Sequence, residues 1–280
     1  MNILGISCFF HDAAACLVQD GQLIAAASEE RFTRIKHDPA FPVNAVDFCL
    51  RQGKLIIDDV DYVVFYDKPF RKFDRILTTY FATYPKSLHA FIKAMPVWLK
   101  QKIWMPRLIE QEIHYDGPIL FCDHHLAHAA SAFLLSPFER AAILTIDGVG
   151  EWDTASYGVG NGIQIDLHKE LRYPHSLGLL YNAFTYYLGF KVNSDEYKVM
   201  GLAPYGTPKF MDKIKQLIDI RDDGSLKLNL DYFAYPYGLR MTNERFHRLF
   251  GEPPRLPESE LTQFHKDIPA SIQAVPKQIV

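Results

Sequence analysis

Three short apolar runs set apart by two tight turns open the chain, and they limit what it can fold into more than any other feature. Residues 2–7 (NILGIS) read as a strand, His11-Asp12 as a turn and residues 13–18 (AAACLV) as a second strand. Gln19-Asp20-Gly21 is a second tight turn, and Leu23 to Ser28 a third strand. Turns this short join antiparallel neighbours. Further strand-sized runs follow at 61–66 (DYVVFY), 118–122 (PILFC) and Ala141 to Asp147, with extended structure resuming at Tyr157 to Val159. Helical spacing lies between them, so a mixed sheet in an α/β fold is expected.

Asn44 to Gln52 carries Ala45, Val46, Phe48 and Cys49 at helical spacing. Residues 70–115 read as several helices broken at Pro85, Pro96 and Pro106, an insertion covering a site. Asp123 to Leu135 is an Ala-rich helix, and Ser176 to Leu188 an apolar helix ending near Gly189. Residues 195–206 read as a loop, 208–218 as a helix and 219–260 as irregular. Leu261 to Val280 reads as a helix interrupted at Pro269 and Pro276.

Composition narrows the function classes. With 280 residues, 48% hydrophobic and 22% charged, the chain can build one large domain or two small ones. A formal net charge of −3 gives no general attraction to nucleic acid or anionic membrane. The apolar stretches are strand-sized, which excludes a membrane-spanning helix, and the start MNILGISCFF lacks a signal peptide's basic lead and cleavage site. Cys8, Cys16, Cys49 and Cys122 have no paired spacing and read as buried thiols of a cytoplasmic protein, not as a zinc site.

The strongest chemical signal is FCDHHLAHAA at 121–130. His124 and His128 are four apart, so on a helix they project from one face and can chelate one divalent ion. His125 points about 100° away. A carboxylate is needed to complete the set. Asp147 ends an apolar strand and enters the turn Gly148-Val149-Gly150, a usual place to expose a ligand. Two imidazoles and one carboxylate favour iron or another first-row metal. Set against this, a His pair at this spacing is often a helix cap or a surface pair.

Two strand–turn–strand segments, 5–15 and 145–156, are of the kind that hold phosphates with backbone N–H groups and small side chains. Each alone is also an ordinary connection. His11 sits at a strand tip, where an imidazole acts as a base or binds an anion, or simply faces solvent as a turn residue. Arg31, Arg34, Lys36 and His37 form a cationic run that either neutralises a phosphate or is a solvated face, the latter being the default for Arg34. Lys198, in EYKVMG, either touches substrate or phosphate or braces its loop.

Taken in order, HDAAACLVQDG, EERFTRIKHD, DHHLAHAASAF, LTIDGVGEWDTAS and DEYKVMGLAPYG resemble the carbamoyltransferases of the nodulation-protein-U and antibiotic-tailoring type, from residue 1 to about 275. That resemblance implies an actin-like (ribonuclease-H-like) ATPase fold. It further implies that a C-terminal YrdC-like domain makes carbamoyl adenylate from ATP and carbamoyl phosphate. The actin-like domain would then pass the carbamoyl group to a hydroxyl of a small-molecule or sugar acceptor. By the same resemblance, Fe(2+) or a similar divalent metal is held by His124, His128 and Asp147, and His11 acts on the acceptor hydroxyl. Asp12, Lys36, Gly148, Gly150 and Lys198 fall at substrate or phosphate positions. Residues 1–280 correspond to the N-terminal part of that actin-like domain, with an incomplete second lobe and no YrdC-like domain. A separate C-terminal half or a homodimer is therefore the partner to expect. The competing readings are a non-catalytic remnant or subunit that needs such a half, and a sugar-kinase-like or hydrolase-like enzyme, which needs the phosphate turns but not the His pair.

Overall fold

In a computed structural model of the chain, which describes residues 1–275, two compact units are present. The first unit comprises Met1–Asp74 and Lys93–His128; the second comprises Arg75–Ile92 and the chain from Ala129 onward.

The first unit is built on a five-stranded sheet. Strands β1 (Asn2–Ser7), β2 (Ala14–Gln19) and β3 (Gln22–Ser28) form the expected antiparallel meander. A one-turn helix α1 (Glu30–Thr33) and helix α2 (Val43–Gly53) follow, and β4 (Tyr62–Phe65) then pairs parallel to β1. Helices α3 (Pro69–Ala82), α4 (Leu88–Lys100) and α5 (Met105–Ile113) lead to β5 (Ile119–Phe121), parallel to β4. The order is β3-β2-β1-β4-β5, with three antiparallel strands continued by two parallel ones. This is the ribonuclease-H-like lobe of actin-like ATPases, as the motifs imply. Alternation along β1 and β4 turns Leu4, Ile6, Val63 and Phe65 inward against Ala45, Val46 and Cys49 of α2 and Met105, Ile109 and Ile113 of α5.

Glu29 stands at the start of α1. It is buried, and its carboxylate accepts the backbone N–H groups of Asn44 (3.3 Å) and Ala45 (2.9 Å) and the Asn44 side-chain amide (2.6 Å). Helix α2 begins at Pro42, which offers no capping side chain. Glu29 therefore supplies from a distance the acceptor that the first turn lacks.

Helix α6 (His124–Phe133) starts in the first unit. Within the second unit, β6 (Arg140–Ile146), β7 (Asp153–Asn161) and β8 (Gln164–Arg172) form an antiparallel meander. Helix α7 (Leu177–Tyr187) follows, capped by Ser176, whose Oγ accepts from the Leu179 N–H. Next come α8 (Glu196–Leu202), α9 (Met211–Ile214), the hairpin β9 (Ile218–Ile220) and β10 (Leu226–Leu228), α10 (Glu244–Phe250) and α11 (Gln263–Ala274). Leu180, Phe184, Tyr187, Phe246, Phe250, Ile268 and Ile272 make their core, with Phe184 and Phe246 edge to face at 5.3 Å.

Four local expectations are corrected. Residues 196–202 are helical rather than loop, because Val199 is fully buried against this core. The helix expected over 208–218 shrinks to α9, since Ile218 starts a strand. The stretch 219–260 holds a hairpin and α10, which Asn243 caps at its start and the left-handed Gly251 ends. Pro96 and Pro269 sit inside α4 and α11 without breaking them. For α11, burial of Ile268 and Ile272 on the same turns offsets the roughly 3 kcal/mol that an internal proline costs. Pro276 lies outside the described residues.

Candidate metal centre and base

The approach from β5 into α6 fixes the imidazole pair. Asp123, just before the helix, is gripped by Lys68 Nζ (2.6 Å) and Arg71 Nη1 (2.7 Å), while its carbonyl accepts the Ala127 N–H (2.9 Å). One residue on, His124 points its Nε2 at His128 Nε2, 3.1 Å away, with the rings at 90°. His125 is buried on the far side, its ring centre more than 6 Å from both. An N–H···N hydrogen bond fits that distance. The pair would also suit one first-row metal cation, for which imidazole nitrogens are ordinary ligands. The donor chemistry thus fits the expected metal, and helix geometry delivers the pair as the spacing predicts.

Asp147 belongs to the second unit, immediately after β6. Its N–H donates to the Thr154 carbonyl, and its Oδ1 accepts from the Gly148 N–H (2.7 Å). Ser176 Oγ donates to the carbonyls of Asp147 (3.1 Å) and Gly148 (2.8 Å), tying the turn to the start of α7. Gly178 makes this possible, because a Cβ there would lie 2.4 Å from the Asp147 carbonyl oxygen. The Gly150 N–H is donated to Asp153. Both glycine amides are therefore used inside the turn.

The β1–β2 turn brings together residues that sequence spacing keeps apart. The Phe9 and Ala13 N–H groups donate to the Pro39 and Asp38 carbonyls, lacing residues 34–40 across the turn. His11 Nδ1 lies 2.7 Å from Asp12 Oδ2, and His37 Nδ1 lies 2.8 Å from Asp12 Oδ1. The His37 backbone N–H donates to Glu30 (3.0 Å), and donor atoms of Asp12, Glu30 and His37 all fall within 4.8 Å of one another. Burial works against charge on Asp12, but the His37 and His11 hydrogen bonds outweigh it and hold its carboxyl below the usual aspartate range. Lys36 is exposed in the same loop. Lys198 lies on α8 in the second unit, paired with Asp195 at 3.0 Å.

The structure thus joins His124 with His128, and His11 with Asp12. Sequence reading missed the Lys68–Asp123–Arg71 clamp and the part played by His37, Glu30 and Ser176. Only the i,i+3 relation of Ser176 to Leu179 had a sequence signature, that of an N-cap.

The first unit's strand order defines an actin-like α/β protein with an imidazole pair at a helix start. The profile of the carbamoyltransferase N-terminus family matches residues 2–280, and the chain belongs to that family. It is 52% identical to the uncharacterized protein sll1178 of Synechocystis over 100% of this chain and 47% of that protein. It is 37% identical to the nodulation protein NolNO of Sinorhizobium fredii over 97% of this chain and 38% of that protein. The chain thus spans about half or less of the length of these relatives. Among solved structures, YeaZ from Pseudomonas aeruginosa aligns with a TM-score of 0.34 and 14% identity over 62% of this chain and 67% of that one.

Proposed function

We propose that this chain carries the acceptor-modifying part of an O-carbamoyltransferase, in which a carbamoyl group passes from carbamoyl adenylate to a hydroxyl of a small-molecule or sugar acceptor. Carbamoyl adenylate would arise from ATP and carbamoyl phosphate in a C-terminal region of the kind that the longer relatives have room for. The observation that carries this reading is the convergence of His124 and His128 Nε2 at the start of α6, in a chain that belongs to the carbamoyltransferase family.

His124 and His128, with Asp147 as the carboxylate, would hold Fe(2+) or a similar ion. When bound, that ion supplies Lewis-acid stabilisation of charge on the carbamoyl and phosphate oxygens. His11 takes the proton from the acceptor hydroxyl, which barely ionises unaided at neutral pH. Lys36 and Lys198 offer cations to the phosphate, and Gly148 and Gly150 let it approach the backbone.

The experiment is anaerobic loading with Fe(II), followed by metal analysis of the native chain and of His124→Ala/His128→Ala. Transfer is then assayed with ATP, carbamoyl phosphate, a panel of hydroxyl acceptors and a separately supplied C-terminal half. A stoichiometric ion lost in the double variant, together with acceptor-dependent AMP release, is expected. Equal metal content in both proteins, or no transfer with any acceptor, refutes the reading.

A further inference from the structure

We infer that Asp12 is a positioning residue whose two carboxylate oxygens each hold one imidazole N–H, so that His11 keeps its proton on Nδ1 and presents the Nε2 lone pair to the acceptor. The inference deepens the proposed function and rests on His11 being the base.

A neutral imidazole has one proton, and the hydrogen bond made by one nitrogen decides which of them carries it. A carboxylate oxygen only accepts, so the 2.7 Å contact between Asp12 Oδ2 and His11 Nδ1 puts the proton on Nδ1. The lone pair is then on Nε2, the nitrogen able to take a hydroxyl proton. The other oxygen is occupied in the same way: His37 Nδ1 stands 2.8 Å from Oδ1, and His37 is itself pinned through its backbone N–H to Glu30. With both oxygens engaged, the carboxylate cannot swing away from His11.

The backbone shows that this arrangement is imposed. Phe9, Asp12 and His37 all have left-handed φ values, 63°, 51° and 57°, which residues with side chains seldom adopt. Asp tolerates that region better than most residues. Strained turns of this kind gather where a side chain must be aimed. Asp12 stood among the phosphate-binding candidates in the sequence, but a carboxylate committed to two N–H donors serves the imidazoles instead.

The test is long-range proton–nitrogen correlation NMR of the chain labelled with 15N-histidine, assigned with His11→Gln and His37→Gln. In the native protein His11 is expected in the Nδ1–H form. In Asp12→Ala it reverts to the Nε2–H form that free imidazole favours. In Asp12→Asn the single amide oxygen can satisfy only one ring, so one of the two histidines changes tautomer. Asparagine tolerates the left-handed backbone, so this variant decides the matter if Asp12→Ala does not fold. An Nε2–H form of His11 in the native protein, or unchanged tautomers in the folded variants, overturns the inference. In the transfer assay a folded Asp12 variant in which His11 has changed to the Nε2–H form is expected to lower kcat by about 10²-fold or more while KM for the carbamoyl donor stays put. An unchanged kcat also overturns it. Native protein with the Nδ1–H tautomer but no transfer counts against the assigned reaction, and the tautomer result separates the two failures.

Discussion

Each unit contains a three-stranded antiparallel meander, and the turns that follow their first strands are held differently. After β1, side chains add to the backbone contacts with Asp38 and Pro39: two imidazoles share one carboxylate, with left-handed backbone at Phe9 and Asp12. After β6, the turn is held by backbone and a helix cap: Ser176 donates to two carbonyls, and Gly178 lets α7 close in. Behind the second turn stands an aromatic core. The first turn is largely exposed. The difference teaches that one topology can present a chemical group in one unit and a plain backbone surface in the other. On the proposed function, it also separates residues that supply stability from residues that supply chemistry.

If that separation is right, the largest loss of stability comes from the core behind the second turn. Phe246→Ala removes a fully buried ring packed on Phe184 and Phe250 and is expected to cost about 3–5 kcal/mol by urea unfolding. A loss under about 1 kcal/mol would break the comparison. Next comes Glu29→Ala. It leaves the Asn44 and Ala45 N–H groups at the start of α2 without their acceptor and is expected to cost about 1–3 kcal/mol, more than any change at the β1–β2 turn.

A pH effect sharpens the second unit's side. Burial disfavours charge on Asp267, yet Lys209, the Thr207 N–H and Gln263 hold its carboxyl down to about 2. Because its folded value is depressed, the stability it contributes is complete above the unfolded aspartate value of ~3.9 and drains away as pH falls towards about 2. Thermal melts should show Asp267→Asn and the native chain converging across that window and diverging above it. A constant gap would show that the charge is not what Asp267 contributes. The smallest effect belongs to His11→Ala, expected to shift stability by less than about 0.5 kcal/mol, since the ring is exposed and its partner is a surface carboxylate. Abolished transfer with an intact melt is the expected pattern. A melt that falls as far as that of Phe246→Ala would make His11 a structural residue.

The legible part of the fold was the part set by local pattern. Apolar runs and short turns gave β1, β2 and β3, and helical spacing gave α2, α6 and α7, because alternation and the 3.6-residue period are written in neighbouring residues. The prolines misled, since Pro96 and Pro269 sit inside helices. Helix α8 was hidden because its order comes from one buried contact, Val199, and not from a long periodic face. Within the candidate site, the His124–His128 pair was legible because four residues is one helical turn.

By itself the sequence determined which residues could meet across one turn of helix or one strand: the imidazole pair, His11 beside Asp12, and the strands on which they sit. Only the tertiary structure decided that His37 shares Asp12, that Glu29 caps a helix fifteen residues on, and that Lys68 and Arg71 clamp Asp123. Those contacts join positions far apart in the chain. Nothing in a residue's neighbours fixes its distant partners; the folding of the whole lobe does.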